Sequence, residues 1–167
     1  MVPILQVKSL RYKVGGKTII DDLSFSVEEG RFVAFIGPSS SGKTTLLKLI
    51  AGILPSNDSI LVGYGYLNAK KGSSDLSKFG CVFSDEIPFL FESVYQELLF
   101  PLENLCYTKS DMEMRIKDLV SFFEVSSFLD KKQEDLTQEE KAILRLLLAL
   151  VHHPSILVLD DPFLMIG

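Results

Sequence analysis

Apolar and polar residues alternate with a period of two along the first part of the chain. The alternation covers residues 4–13 and 17–20, separated by turn residues 14–16, and continues in a strand where every second side chain is apolar: Leu23, Phe25 and Val27. This pattern is typical of strands with one buried and one exposed face. We therefore predict a half-buried β-sheet at the N-terminal end of the chain.

A continuous apolar run, Phe32 to Ile36, follows this region and ends directly at a glycine-containing loop. Such an unbroken run is typical of a strand buried on both faces. Beyond the loop the apolar spacing becomes helical, and a glycine and a proline mark the end of the helix. The residues concerned are Leu46, Leu47, Ile50, Gly52, Leu54 and Pro55. The predicted order is strand, loop, helix.

The middle of the chain carries weaker strand signals. Short strand-like stretches occur at residues 60–62 and 64–67, and residues 79–83 form another short apolar strand. Between residues 91 and 150 the period of the apolar positions rises to nearly four. This change in period predicts a helical segment.

Two capping boxes head helices in this segment. One is Ser110 to Glu113, and the apolar face of the helix behind it consists of Met112, Ile116, Leu119 and Phe123. The other is Thr137 to Glu140, ahead of a helix that runs through Leu150. In such a box the first hydroxyl accepts from a backbone N–H three residues on, and the acid reaches back to the first N–H.

Composition and charge narrow the class of protein. A chain of 167 residues with an apolar fraction of 47% is long enough for one globular domain with its own core. The net charge of −5 and the lack of a basic run argue against nucleic acid as a partner. The first residues do not resemble a secretory signal.

Cys81 and Cys106 lack the paired spacing of a metal or redox site, and we expect both to be buried thiols in the cytosol.

The glycine loop matches the pattern G-x-x-x-x-G-K-[ST] at every position, between a predicted strand and a predicted helix, as a phosphate-binding P-loop does. Its glycines let backbone N–H groups converge on phosphate oxygens, and the helix adds its positive end. Lys43 would reach the β- and γ-phosphates, Thr44 would bind Mg²⁺ and Thr45 would donate to a phosphate. The candidate nucleotide-binding residues are Gly37, Pro38, Ser39, Ser40, Ser41, Gly42, Lys43, Thr44 and Thr45.

A second site is predicted where the apolar strand 156–159 ends in two acids. In P-loop proteins an acid at such a strand end holds the magnesium shell, the role we assign to Asp160. Asp161 follows where a general base or a water-positioning carboxylate is needed. An acidic turn ahead of Pro162 is the alternative interpretation.

The β-rich start, the P-loop, the helical segment and the run HPSILVLDDPF at residues 153–163 occur in the order found in ABC transporter ATPases. Along its whole length the chain resembles the ATP-binding subunit of such a transporter. The resemblance implies an α/β fold with a P-loop NTPase (RecA-like) core, the antiparallel β-subdomain before it and an inserted α-helical subdomain. We expect one ABC-type domain with four segments: 1–36 with the P-loop strand, 37–90 with the P-loop and core strands, 91–151 as the helical insert, and 152–167 with the Walker B strand.

The resemblance also assigns roles to single residues. Tyr12 matches the aromatic residue on which adenine stacks, and an ordinary half-buried strand tyrosine is the alternative. Ser84 stands where the family has a glutamine that touches Mg²⁺. Asp161 matches the catalytic glutamate and would act together with Lys43. Its carboxylate is one methylene shorter, and a retraction on the order of 1 Å can cost about a hundredfold in rate.

Residues 136–140, Leu-Thr-Gln-Glu-Glu, align with the family signature Leu-Ser-Gly-Gly-Gln, but both glycines are absent. In the family these glycines let a helix start approach the γ-phosphate held by a partner subunit. Here acids occupy the place of the phosphate. We therefore expect Glu140 to cap its own helix.

The resemblance implies a further strand, a switch histidine and closing helices beyond Gly167, so the expected fold lacks its C-terminal part. The missing strand would lie between the P-loop strand and the Asp160 strand, which predicts a gap in the parallel sheet. His152 and His153 precede the acidic strand and do not match the switch histidine. We expect them at a solvated helix end.

The resemblance implies a subunit that uses ATP and Mg²⁺, pairs with a second nucleotide-binding subunit as a homo- or heterodimer, and docks on a membrane permease at the cytoplasmic face. Short matches at residues 93–94, 100–102 and 161–163 resemble the ATPases of mammalian-cell-entry type lipid transporters and suggest a lipid cargo. The alternatives are a degenerate regulatory partner that hydrolyses ATP slowly and an incomplete ABC ATPase sequence.

Overall fold

The computed structural model describes residues 3–56, 59–62, 65–66, 76–83 and 89–161. The chain divides into two compact units, an N-terminal unit of residues 1–76 and a C-terminal unit of residues 77–167. The predicted site residue Ser84 lies outside the described residues.

The N-terminal unit is built on a long β-hairpin. Strand β1 (Leu5–Val14) pairs antiparallel with β2 (Lys17–Val27), and the turn residues Gly15 and Gly16 have φ angles of 54° and 82°. Consecutive positive φ angles give a tight turn that matches the twist of the strands, and glycine adopts them without steric cost. The alternation along β2 is confirmed, because its predicted inward residues are half-buried and the serines between them are exposed.

Two short strands extend the hairpin into an antiparallel sheet. Strand β3 (Ile60–Val62) pairs with β1, and β4 (Gly65–Tyr66) pairs with β3, so the order is β2-β1-β3-β4. The buried side chains of strands β1, β2 and β3 include Leu5, Val7, Leu10, Ile20, Ile60 and Val62. The predicted antiparallel subdomain is therefore present, and it takes two of its strands from residues beyond the P-loop.

The predicted P-loop strand is not formed, and this prediction was wrong. Residues 31–38 lie in no strand, and the exposed fractions of Phe32 and Ile36 are 91% and 95%. Phe35 is half-buried and packs edge-on against Phe25 of β2, with ring centroids 5.4 Å apart. A strand buried on both faces needs hydrogen-bonded neighbours at its edges and cover above and below. Among the described residues no strand pairs with this segment.

Helix α1 (Lys43–Ile50) follows the P-loop. Its buried side chains are Leu46, Leu49 and Ile50, and the chain leaves it through Gly52, whose φ is 73°. This spacing of three and four residues places one face of the helix against the core.

The C-terminal unit contains a parallel pair of strands. Strands β5 (Phe79–Val82) and β6 (Ile156–Leu159) pair from Phe79 with Ile156 through to Val82 with Leu159. Because the strands are parallel, their carboxyl ends lie at the same edge. Asp160 extends the pairing, since its N–H donates to the carbonyl of Val82 at 2.9 Å.

The predicted helical insert lies between these strands in the sequence. It contains α2 (Val94–Asn104), α3 (Lys109–Phe122) and α4 (Gln138–Leu150). Side chains from all three helices meet in one core that includes Val94, Leu98, Leu102, Ile116, Val120, Leu144 and Leu147. Among the described residues, none of the helices has the length and apolar character needed to cross a membrane.

The two predicted capping boxes have different outcomes. Thr108, rather than Ser110, caps α3 by accepting from the N–H of Asp111 at 3.2 Å. The sequence offers two hydroxyl residues within one turn, each followed three residues later by an acid, and the earlier pair is the one used. The second box, formed by Thr137 and Glu140, is confirmed in full.

Candidate functional site

The P-loop forms a tight turn ahead of α1. The Ser41 N–H donates to the Pro38 carbonyl at 3.3 Å, and Ser40 and Gly42 have φ angles of 62° and 92°. A Cβ atom at residue 42 would lie 3.1 Å from Cγ2 of Ile19, so the backbone conformation and this close approach both require glycine. Backbone that passes through left-handed residues in this way is of the type that forms anion-binding concavities.

The start of α1 is open to an anion. Gly42 provides no side-chain cap, and the first turn of the helix contains no acid. The Lys43 ammonium folds back onto the loop and donates to the carbonyls of Gly37 and Pro38, at 2.9 Å each. The loop therefore combines uncapped N–H groups, the positive end of a helix and the Lys43 ammonium.

Tyr12 lies on β1 opposite Ile20 of β2 and is half-buried. The register of the hairpin shifts on both sides of Tyr12. Half-burial suits both an adenine-stacking ring and an ordinary strand tyrosine. The stacking role therefore stays a prediction.

Asp160 and Asp161 lie at the carboxyl end of β6 in contrasting environments. Asp160 is 5% exposed, and its Oδ2 atom is buried with no hydrogen-bond partner among the described residues. Asp161 is exposed and has a φ of 47°, which is uncommon for a residue other than glycine. Buried polar atoms are normally paired, so a carboxylate oxygen of Asp160 without a partner in the described part of the chain marks a place suited to a cation.

The described residues contain no group of three or more His, Cys, Asp or Glu side chains that could hold a metal ion. Mg²⁺ does not require such a group, because it is usually bound by one or two carboxylates together with substrate phosphates and water. A single buried carboxylate is therefore compatible with magnesium bound as part of a nucleotide complex.

In residues 136–140, the segment aligned with the family signature, side chains form hydrogen bonds with the backbone N–H groups at the start of α4. The Thr137 N–H donates to the Glu140 carboxylate at 3.0 Å, and the Lys131 ammonium pairs with the same carboxylate. The Lys131 hydrogen bond, followed by the Thr137 N–H, lowers the pKa of Glu140 below its ordinary value. The pKa of Glu139 is also lowered, by its own backbone N–H and by the Thr137 hydroxyl. The expected capping role of Glu140 is confirmed, and the start of α4 carries two ionised acids at neutral pH.

The histidine prediction was half wrong. His153 is exposed at the end of α4, as expected. His152 is half-buried, and its Nε2 atom donates to the Phe79 carbonyl at 3.0 Å, since a carbonyl can only accept. Its Nδ1 atom is buried without a partner among the described residues. His152 therefore connects the end of α4 to the start of β5 instead of facing solvent.

The cysteines also differ from the expectation. Cys81 lies on β5 and is partly buried, and burial raises its pKa to about 11. Cys106 is exposed, with a φ of 58°, in the turn after α2. The prediction of a buried thiol was wrong for Cys106, because the chain turns there at the surface.

Glu97 is a buried acid that the sequence analysis missed. It lies on α2, is 6% exposed, and accepts hydrogen bonds from the N–H groups of Leu90 and Phe91 at 3.0 and 2.9 Å. The amide of Gln133 donates to the same carboxylate at 2.9 Å. Glu97 thus ties the loop before α2 to the segment before α4. Its position three residues after the buried Val94 was the available signal, because that spacing places it on the apolar face.

Comparison with known proteins gives a consistent result. A model of the ABC transporter family matches residues 20–164. The Fe(3+) ions import ATP-binding protein FbpC of Fusobacterium nucleatum is 31% identical over 161 residues, which cover 95% of this chain and 42% of that protein. The chain therefore spans less than half the length of this relative.

Two solved structures have a similar fold. One is cbiO1 from Clostridium perfringens, described as part of the ABC transporter complex cbiONQ, with a TM-score of 0.83, 27% identity and coverage of 98% of this chain and 67% of that chain. The other is a nucleotide-free ATP-binding cassette from an ABC transporter, with a TM-score of 0.77, 25% identity and coverage of 96% and 69%. Because the family match covers most of the sequence, the chain belongs to the ABC transporter family, and it has the P-loop NTPase fold of that family's ATP-binding domain.

Proposed function

We propose that this chain binds MgATP at its P-loop and serves as the ATP-binding subunit of an ABC transporter. The start of α1 carries the proposal, because uncapped N–H groups, the loop glycines and the Lys43 ammonium lie together there. Family membership supports ATP as the ligand. The whole transporter's activity, cargo and partners are part of the proposal, since the chain spans 42% of the iron-import relative.

Each P-loop residue has a proposed role. The backbone of residues 37–42 surrounds the phosphates, and Lys43 leaves its two carbonyl partners to pair with the β- and γ-phosphates. Thr44 and Thr45, in the first turn of α1, bind Mg²⁺ and a phosphate through their hydroxyls. Tyr12 stacks on adenine.

Asp160 is proposed to hold the magnesium shell and Asp161 to orient or deprotonate the attacking water. The support for Asp160 is its buried oxygen without a partner among the described residues, and the support for Asp161 is its exposure at the strand end. Bound Mg²⁺ neutralises the charge that develops on the phosphates. Ser84 stays a proposed magnesium contact by resemblance only.

We expect hydrolysis by this chain to be slow. Asp161 is shorter than the glutamate of the family, and the start of α4 is occupied by Glu139 and Glu140. Replacing Asp161 with Glu should raise the turnover rate, whereas Asp161→Asn should reduce it further. The comparisons do not favour a mainly regulatory subunit, so the slow rate is proposed for a working ATPase.

The proposed partner is a second nucleotide-binding subunit. The acids at the start of α4 favour a heterodimer with a different chain over a homodimer of two copies of this chain. In a head-to-tail homodimer, each bound γ-phosphate would meet the ionised Glu139 and Glu140, and like charges repel. In a heterodimer, ATP on this chain would meet the partner's own helix start. Sedimentation of the chain with ATP and Mg²⁺ should therefore show a monomer; a dimer that forms only with ATP would exclude this pairing.

The subunit is proposed to dock on a membrane permease at the cytoplasmic face. The support comes from cbiO1, described as part of a transporter complex, and from FbpC, named as an iron import ATP-binding protein. Neither relative supports the lipid cargo that the short sequence matches suggested. The cargo named among them is the ferric ion.

Calorimetry with ATP and Mg²⁺ tests the proposal directly. The intact chain should bind ATP, and Lys43→Ala should weaken binding at least tenfold, because it removes a charge-assisted contact to phosphate. Lys17→Ala, a change to an exposed lysine of β2, is the matched control and should leave affinity unchanged. No heat of binding from the folded chain, or equal losses in both variants, would rule out the P-loop as the ATP site.

A further inference from the structure

Ile19 lies on β2 and packs against the P-loop. A Cβ atom at residue 42 would lie 3.1 Å from Cγ2 of Ile19 and 3.4 Å from the Ile19 carbonyl oxygen. A carbon atom at that place would be crowded, so no other group fits between the Gly42 backbone and this methyl group. Both residues are half-buried, as expected for a contact between them. The hairpin therefore supports the P-loop at the residue where α1 begins.

Gly42 determines where the first donors of α1 lie. It is the N-cap of the helix, and its carbonyl accepts from the N–H of Leu46 at 2.8 Å. Its φ of 92° is a left-handed conformation that turns the chain into the helix. The N–H groups that begin at Lys43 follow from this turn, and they are the groups proposed to meet the phosphates. A shift of Gly42 would therefore move the donors of the phosphate site.

The side chain of Ile19 is well suited to hold a backbone in place. Two carbon atoms on its Cβ restrict rotation about χ1, so the strand fixes the position of the Cγ2 methyl group. The other end of α1 is held by its own buried residues, Leu49 and Ile50. Ile19 thus adds an apolar support at the end of the helix where a phosphate would bind.

The hairpin is irregular around this contact. Its register shifts on both sides of Tyr12, and Ser9 and Asp22 have φ angles of 44° and 54°, which are uncommon for residues other than glycine. Such irregularities bend a strand pair and change the direction in which side chains point. Ile20, next to Ile19, pairs with Tyr12. The same part of the hairpin therefore carries the proposed adenine contact and the support of the P-loop.

We propose that Ile19 is a positioning residue for the phosphate groups of the bound nucleotide. Its Cγ2 methyl group holds Gly42, and with it the first N–H groups of α1, where they donate to phosphate. Ile19 acts through the Gly42 backbone and not through a contact of its own with the nucleotide. Donors that are held in place before the ligand arrives reduce the entropy lost on binding. This inference rests on the proposed binding of MgATP.

Calorimetry of the intact chain with MgATP and with inorganic triphosphate and Mg²⁺ tests the proposal. Ile19→Val keeps two carbon atoms on Cβ and should bind both ligands within about twofold of the parent chain. Ile19→Leu has the same number of atoms but no methyl group on Cβ, and it should bind both ligands about fivefold more weakly. Affinity should therefore follow the branch at Cβ and not the volume of the side chain.

Ile60→Val and Ile60→Leu are the matched controls. Ile60 is buried in the same sheet, on β3, where it pairs with Val7 of β1. Both changes should lower stability, measured by urea unfolding, without altering the affinity for either ligand. A purely structural role of Ile19 would give this same result, a loss of stability with unchanged affinity.

Equal affinities of Ile19→Val and Ile19→Leu would overturn the proposal. Weaker ATP binding by Ile19→Leu with unchanged triphosphate binding would also overturn it, because the effect would then lie at the adenosine part of the nucleotide. A parent chain that binds neither ligand would reject the proposed function itself, and this inference with it. A parent chain that binds both ligands, with variants that do not follow the Cβ branch, would reject this inference alone.

Discussion

Thr137 and Glu140 close the start of α4 with two reciprocal hydrogen bonds. The Thr137 N–H donates to the Glu140 carboxylate at 3.0 Å, and the Glu140 N–H donates to the Thr137 hydroxyl at 3.2 Å. Lys131 adds an ion pair to the same carboxylate. One acid therefore satisfies a helix-end donor and anchors the loop that leads into α4.

Replacing Glu140 with Ala should lower the Tm by a few degrees, because the Thr137 N–H and the Lys131 ammonium lose their acceptor. Glu140→Gln should cost less, since its amide oxygen can still accept from Thr137. Thermal unfolding followed by circular dichroism measures both. Glu113→Ala, at an exposed position of α3, is the control; a loss for Glu140→Ala no larger than for this control would contradict the capping role.

The lowered pKa of Glu140 also predicts acid-sensitive stability. Its folded-state pKa lies below the ordinary value of 4.5, so the unfolded chain binds the proton more readily. The contribution is complete above that value and is lost as the pH falls through the folded-state pKa. Urea unfolding between about pH 6 and pH 3 should show falling stability, with a shallower fall in Glu140→Gln. The same slope in both proteins would exclude Glu140 as a source.

The sequence predicted the parts of the structure that local rules decide. Three predicted features depend only on neighbouring residues, and all three are present. They are the hairpin at Gly15 and Gly16, the capping box of Thr137 and the strand directly before Asp160. The strand at residues 32–36 was wrongly predicted, because burial of a central strand depends on strands distant in sequence. The hydrogen bond from His152 Nε2 to the Phe79 carbonyl was missed for the same reason. The two residues lie 73 positions apart in the sequence.

Glu97 supplies a prediction for the stability of the helical insert. Glu97→Ala would leave the N–H groups of Leu90 and Phe91 and the Gln133 amide without this acceptor, and should cost about 2–3 kcal/mol of unfolding free energy. Glu103→Ala, an exposed change on the same helix, is the control. Urea unfolding gives the free energies, and hydrogen exchange at Leu90 and Phe91 should accelerate. Unchanged exchange at these amides would exclude the anchoring role.

The two thiols should react at very different rates. Burial raises the pKa of Cys81 to about 11, so at pH 8 only about one molecule in a thousand carries the reactive thiolate. Cys106 is exposed in the turn after α2. Iodoacetamide should therefore modify Cys106 first, as measured by mass spectrometry of peptides, and urea should remove the protection of Cys81. Equal rates in the folded chain would contradict the burial of Cys81.

Gly80 should be the least replaceable residue of β5. A Cβ atom there would overlap the carbonyl oxygen of Ala149 and lie 2.8 Å from Cγ of Pro154. The first of these atoms belongs to the backbone of α4, so the clash cannot be relieved by rotating a side chain. Gly80→Ala should therefore lower the free energy of unfolding by about 3 kcal/mol or prevent folding.

Ser121→Ala, at an exposed position of α3, is the control for Gly80→Ala and should change the free energy of unfolding by less than about 0.5 kcal/mol. Chemical unfolding measures both proteins. If the end of α4 moves away to admit the methyl group, the bond from His152 to the Phe79 carbonyl must lengthen as well, and the imidazole NMR signal should shift. A stable Gly80→Ala protein with an unshifted His152 signal would show that β5 and α4 are not in close contact at this glycine.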